Sequence, residues 1–179
     1  MPEAQPNTPS FLKAALLGIV IFGALLFMIT AMNTGDLMWF WPNFSEVPVG
    51  IVVHCYGTDV QVKPGQPAFE AVNKAVNTSL SGSKRWDGLN MSDDTYLEYQ
   101  TSPAVMVVEL SYDPPVRIHS QYAYFKSVNK LIVPLDGRHV STNPVFGRTR
   151  DFTNSGSYHV KSTESIVVAL QEQGICTKP

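Results

Sequence analysis

Between Lys13 and Asp36 the chain runs for 22 residues without a charge, and Ala14 to Met32 reads AALLGIVIFGALLFMITAM. In a helix 22 residues reach about 33 Å, enough for a hydrocarbon core of about 30 Å. Backbone groups in lipid must pair internally, so a lone segment of this length must be an α-helix. Two rival readings fit less well. Buried helices of soluble proteins rarely carry more than about 14 apolar residues in a row. A cleaved signal peptide has a shorter apolar stretch and a small-residue cleavage site, and Ile29-Thr30-Ala31-Met32-Asn33 matches that site poorly. An uncleaved anchor is therefore expected.

Lys13 flanks one end of the run, while Asp36 and Glu46 follow the other, with no Lys or Arg before Lys63. The positive-inside rule then puts the N-terminus in the cytoplasm and the larger C-terminal part outside, periplasmic or extracellular. Trp39, Phe40 and Trp41 come just beyond the apolar run and read as an aromatic belt at the outer interface. Ala14, Gly18 and Gly23 give the helix small residues that permit close approach of a second helix. The expected organisation is a cytoplasmic tail over 1–13, a transmembrane helix over 14–35, an interfacial segment and linker over 36–48, and one extracytoplasmic domain over 49–179.

That domain reads as α+β, with a mostly antiparallel sheet and two helices in the order β-β-α-β(4–6)-α. Ile51 to Tyr56 and Asp59 to Lys63 form a hairpin, for which Gly57-Thr58 suggests a type II′ turn. Pro67 opens a helix whose Phe69, Val72, Val76 and Leu80 recur at helical spacing, and Gly82 ends it. Ser83 to Asp94 reads as a loop. Tyr96–Gln100, Ala104–Tyr112, Val116–His119, Tyr122–Phe125 and Val128–Leu135 read as strands, with Asp113-Pro114-Pro115 as a turn. Val145-Phe146 and Tyr158–Val160 are shorter strands. Ser162 and Glu164 start a last helix with Ile166, Val167 and Leu170 on its inner face.

Composition narrows the function classes. Charged residues are only 16%, and 13 Lys and Arg stand against 15 Asp and Glu. The chain is too apolar for a disordered acidic protein and not basic enough for nucleic acid to be a main partner. Its two cysteines, Cys55 and Cys176, belong to no CxxC pair or nucleophile motif. In an oxidising compartment they can bridge, closing a loop of about 120 residues for about 4–5 kcal/mol in the chain-entropy model; in a reducing one they stay inert thiols. His54, His119, His139 and His159 have no metal-ligand spacing. There is no P-loop, GxGxxG or G-x-S-x-G, so no cofactor and no catalytic residue is expected.

From Lys130 to Lys161 the charge turns basic, with Arg138, Arg148 and Arg150 between them. Arg148 and Arg150 share strand parity and hence a face. The patch suits anionic headgroups or an acidic partner, or simply a solvated, charge-guarded strand edge. The expected function is that of a non-catalytic single-pass protein, an accessory or assembly subunit of a larger membrane complex. Its partners would be membrane lipid and other membrane subunits. A ligand-binding or sensor domain with a pocket lined by Tyr96, Tyr99, Tyr122 and Tyr124 is the second reading, its small ligand unknown. A membrane-tethered hydrolase is the third.

Overall fold

A computed structural model of the chain describes residues 11–122, 125–150 and 156–178. Helix α1, Phe11–Thr34, holds 24 residues and rises about 36 Å. It is long and apolar enough to cross a membrane, and the rest of the chain buries only 6% of its apolar 18-residue window. Gly35 then takes a positive φ of 61°, and the Asp36 carboxylate accepts from the Met38 amide at 2.9 Å. This elbow folds the aromatic segment back along the helix. Phe27 meets Trp39 and Phe40 with ring centroids 6.2 and 5.8 Å apart.

The domain is α+β. Its first hairpin joins β1, Gly50–Cys55, to β2, Thr58–Val62, in the register Cys55↔Thr58. The turn residues are Tyr56 and Gly57, both at positive φ (50° and 86°). That is the signature of a type I′ turn, not the expected type II′, because both central residues and not Gly alone are left-handed. Helix α2, Pro67–Leu80, begins and ends where its periodicity predicts, with Pro in its first turn.

Further sequence expectations are corrected. A short strand β3, Arg85–Asp87, lies inside the expected loop. Tyr96–Gln100 is not a strand but part of helix α3, Asp93–Thr101, so the domain has three helices and not two. The Ser92 side chain caps α3 by accepting from the Thr95 amide at 3.1 Å, and Asp93 and Asp94 favour the positive end of its dipole. Strand β4, Met106–Val116, runs through Asp113-Pro114-Pro115 instead of turning there; its register with the next strand breaks between Ser111 and Val116 and absorbs the prolines as an irregularity. Tyr122 and Phe125 lie in irregular chain; the middle of that expected strand, including Tyr124, falls outside the described residues.

Strand β5, Val128–Asp136, is followed by a short 3-10 turn, then β6, Pro144–Arg148, β7, Ser157–His159, and helix α4, Glu164–Glu172. Among the described residues the sheet has seven strands in the order β2-β1-β4-β5-β6-β7-β3, every pair antiparallel. Period-2 alternation sends Val108 and Leu110 of β4 and Leu131 and Val133 of β5 to one face. There they meet Phe69, Val72 and Val76 of α2 and Ile166 and Leu170 of α4 in the main core. Phe44, in the expected linker, is buried in that core, and its backbone N–H donates to Ser81 Oγ at 3.0 Å. The opposite face carries a smaller core of Val107, Ile132 and Phe146 under Tyr99 of α3.

Candidate functional site

The second face of the sheet is only half apolar. Beside the small core, β1 brings His54, β4 brings Glu109 and Ser111, β5 brings Lys130, and β6 brings Arg148. Register puts Ser111 opposite Lys130 and Lys130 opposite Arg148, a row across three strands. Glu109 is 5% exposed, and a buried carboxylate needs strong partners. Lys130 Nζ donates to its Oε1 at 2.5 Å and the Tyr96 hydroxyl to its Oε2 at 2.7 Å. His54 Nε2 lies 4.0 Å away, an ionic and not a hydrogen-bonded contact, while its Nδ1 is 2.7 Å from Asp59. Burial opposes ionisation of Glu109, but its cationic and hydroxyl partners outweigh that and hold its pKa at about 2. Burial likewise lowers the His54 pKa, yet the flanking carboxylates outweigh it and the net shift is upward.

Next to this network opens a cleft of about 460 Å³. Tyr96, Ser111, Asn129, Lys130, Arg148 and Arg150 are among its lining residues. Arg148 stacks on the Tyr96 ring at 4.2 Å, and its Nη2 donates to Asp93 at 3.1 Å. Its Nη1 is shielded from water and has no acceptor among the described residues. The expected basic stretch is therefore divided by the fold. Lys130, Arg148 and Arg150 share the cleft, but Arg138 pairs with Glu98 at 3.0 Å, and Lys161 lines the mouth of a groove between α2 and α4. That groove measures about 740 Å³ and runs past Ala71, Ala75, Val168 and Ala169.

The four tyrosines do not form one pocket. Tyr96 lines the cleft, Tyr99 is buried with its hydroxyl 2.7 Å from His139 Nδ1, and Tyr122 packs between Trp86 and Tyr158. Tyr124 lies outside the described residues. Ser157 and His159 do approach, with Oγ 3.3 Å from Nε2, and Asp87 Oδ2 lies 3.4 Å from the same nitrogen. A nucleophile relay needs its serine and its acid on opposite ring nitrogens, so this cluster lacks that geometry. Among the described residues no group of three His, Cys, Asp or Glu is placed to hold a metal ion.

Cys55 and Cys176 are joined as a disulfide, with Cα atoms 5.8 Å apart. Ala14, Gly18 and Gly23 are all exposed, and a methyl at either glycine would meet nothing within 4 Å. Trp39, Phe40 and Trp41 gather at the carboxyl end of α1. Phe40 and Trp41 remain 52% and 46% exposed. Strand β6 ends at Arg148, so Arg150 reaches the cleft from beyond the strand and not by alternation. The Glu109 network was not legible in the sequence, because it depends on β1, β4 and β5 lying side by side. Comparison with protein-family models, curated proteins and solved structures returns no match for this chain.

Proposed function

We propose that this chain is a non-catalytic, single-pass membrane protein that serves as an accessory or assembly subunit of a larger membrane complex. Its amino terminus lies in the cytoplasm and its disulfide-linked domain in an oxidising compartment outside. The observation that carries this reading is the junction between helix and domain. The apolar helix is nearly bare of intrachain contacts along its length. At its carboxyl end, however, Arg117 Nη1 donates to Gly35 O at 2.8 Å, and His119 Nδ1 lies 2.8 Å from the Asp36 carboxylate. A mere tether needs no such grip. A fixed junction lets a partner read helix and domain as one surface, with the open Ala14/Gly18 face offered within the membrane and Gly23 on the far side of the helix.

The test is mild-detergent purification of the full chain, paired with Gly18→Leu and Gly23→Leu variants. A stable, stoichiometric assembly for the wild type, dissolved by Gly18→Leu and not by Gly23→Leu, is expected. Migration as a lone monomer would count against the reading, and recovery in the supernatant after alkaline extraction would remove its membrane premise.

The cleft beside Lys130, Arg148 and Arg150 favours a second reading, a domain that binds a small anionic ligand. It requires calorimetric binding of a carboxylate or phosphate compound that Arg148→Gln abolishes.

A further inference from the structure

Residues 37–41, Leu-Met-Trp-Phe-Trp, carry no charge, and Leu37, Met38, Phe40 and Trp41 are all exposed. Their depth beside α1 can be bounded. A centred helix of 24 residues ends about 18 Å from the mid-plane of a bilayer, and its Phe27 lies about 7 Å from that plane. The Trp39 and Phe40 ring centroids stand 6.2 and 5.8 Å from that of Phe27. Even stacked straight outward they reach only about 13 Å, inside the hydrocarbon half-thickness of about 15 Å. Two further facts set them deeper. Helical side chains lean toward the N-terminus, and centring the charge-free run 14–35 brings Phe27 closer to the mid-plane. An aromatic belt sits at the headgroups; these rings lie below that level.

The backbone of 37–41 keeps a different level. Peptide groups need partners in lipid. Here Trp41 N–H donates to Met38 O at 2.7 Å and Met38 N–H to the Asp36 carboxylate at 2.9 Å. The elbow that carries them lies past the helix end, about 18 Å out, where water meets the remaining groups. Two cations of the domain stand at the same level. Arg117 is bound to the Gly35 carbonyl at 2.8 Å, and Lys126 Nζ is 3.4 Å from where a Cβ on Gly35 would stand. Aromatic rings below and cations above are the arrangement of a segment that lies in the interface. We propose that residues 37–41 form a second membrane-inserted element, with the Trp39 and Phe40 rings in the hydrocarbon of the leaflet on the domain's side and Arg117 and Lys126 against its phosphates. The domain then rests on the lipid surface itself, not above it on a stalk. The inference rests on the reading of α1 as a membrane span and needs no partner protein.

Depth-dependent quenching of tryptophan fluorescence tests it on the full chain in phosphatidylcholine vesicles. One arm carries bromine on the upper acyl chain, and another adds iodide to the water on both sides. The chain has three tryptophans, and Trp41→Phe with Trp86→Phe leaves Trp39 alone. Its emission should fall about twofold with upper-chain bromine and by about a tenth at most with iodide, as for a ring about 5–10 Å below the headgroup boundary. If that variant does not fold, the difference between wild-type and Trp39→Phe emission carries the test and should show the same preference for bromine. Equal or stronger quenching by iodide would put the ring at the water boundary and overturn the proposal. Protection from both quenchers would show the ring covered by protein and overturn it as well. Alkaline extraction of the same vesicles separates the two failures. A wild type that stays in the pellet while its Trp39 answers to iodide defeats this proposal alone, whereas release into the supernatant defeats the membrane reading and this proposal with it.

Discussion

Glu109 shows what a single acid costs and secures when a sheet takes it out of water. Its pKa is depressed to about 2 from an ordinary 4.5, so its stabilisation is full above the unfolded value and lost as pH falls from 4.5 towards 2. His54 works in the other direction. Its pKa is raised above the ordinary 6.5, so its contribution is full below that value and fades as pH climbs through the folded one. The network is therefore strongest between about pH 4.5 and 6.5 and weakens on both sides. Glu109→Gln strands the 5%-exposed site's cations and should cost about 3 kcal/mol, the low end for breaking a buried pair because Lys130 remains 37% exposed. Thermal unfolding from pH 2.5 to 8 checks this: the acid limb should flatten in the variant. Superimposable profiles for the two proteins would exclude the role given to Glu109.

Helix α3 is the element on which this face depends, since it delivers Tyr96 to Glu109 and Tyr99 to the small core. It is nine residues long, below the length at which a helix is stable alone, so its cap matters. Ser92→Ala removes the bond to the Thr95 amide and should cost about 1 kcal/mol. Amide hydrogen exchange should quicken over 95–101 while the α2 amides hold; a uniform rise in both helices would show that the cap acts on global stability instead. The same helix marks the limit of what local pattern reveals. In α2 the apolar positions recur over 14 residues with Pro at the start, and the sequence determines the element almost to the residue. In Tyr96–Gln100 five alternating residues suit a strand equally well, and the deciding signal is the polar run Ser92-Asp93-Asp94 just before them. Strand β3 carries no local signal. Its Arg85, Trp86 and Asp87 become a strand only because β7 lies alongside, and that pairing spans about seventy residues of chain.

For the whole molecule, two long-range ties decide how the parts move. The first is the disulfide, which closes a separation of 121 residues. Nearby, Lys178 Nζ meets Asp136 at 2.8 Å and the Tyr56 hydroxyl donates to the same carboxylate oxygen at 2.7 Å. The C-terminus is thus held to the first hairpin and to β5. Cys176→Ala should lose about 5 kcal/mol in the chain-entropy model, read as a lower denaturant midpoint that reductant reproduces in the wild type and leaves unchanged in the variant. The second tie is the junction at Asp36, whose side chain is 9% exposed between His119 at 2.8 Å and Arg117 at 4.0 Å. Arg117 also reaches the Gly35 carbonyl, where the negative end of the α1 dipole adds to the attraction. Arg117 and the His119 imidazole, both facing one carboxylate at the helix end, resist tilting in a way a flexible linker cannot. Spin labels at Leu16 and Lys63 should therefore report one narrow distance distribution by pulsed electron resonance. Asp36→Ala with Arg117→Ala should broaden it severalfold while the domain keeps its unfolding midpoint within about 1 kcal/mol, because removing both partners of an ion pair together leaves neither charge stranded. An unchanged narrow distribution would assign the grip to the buried Ala31 and Thr34 contacts and remove the charged cluster from it.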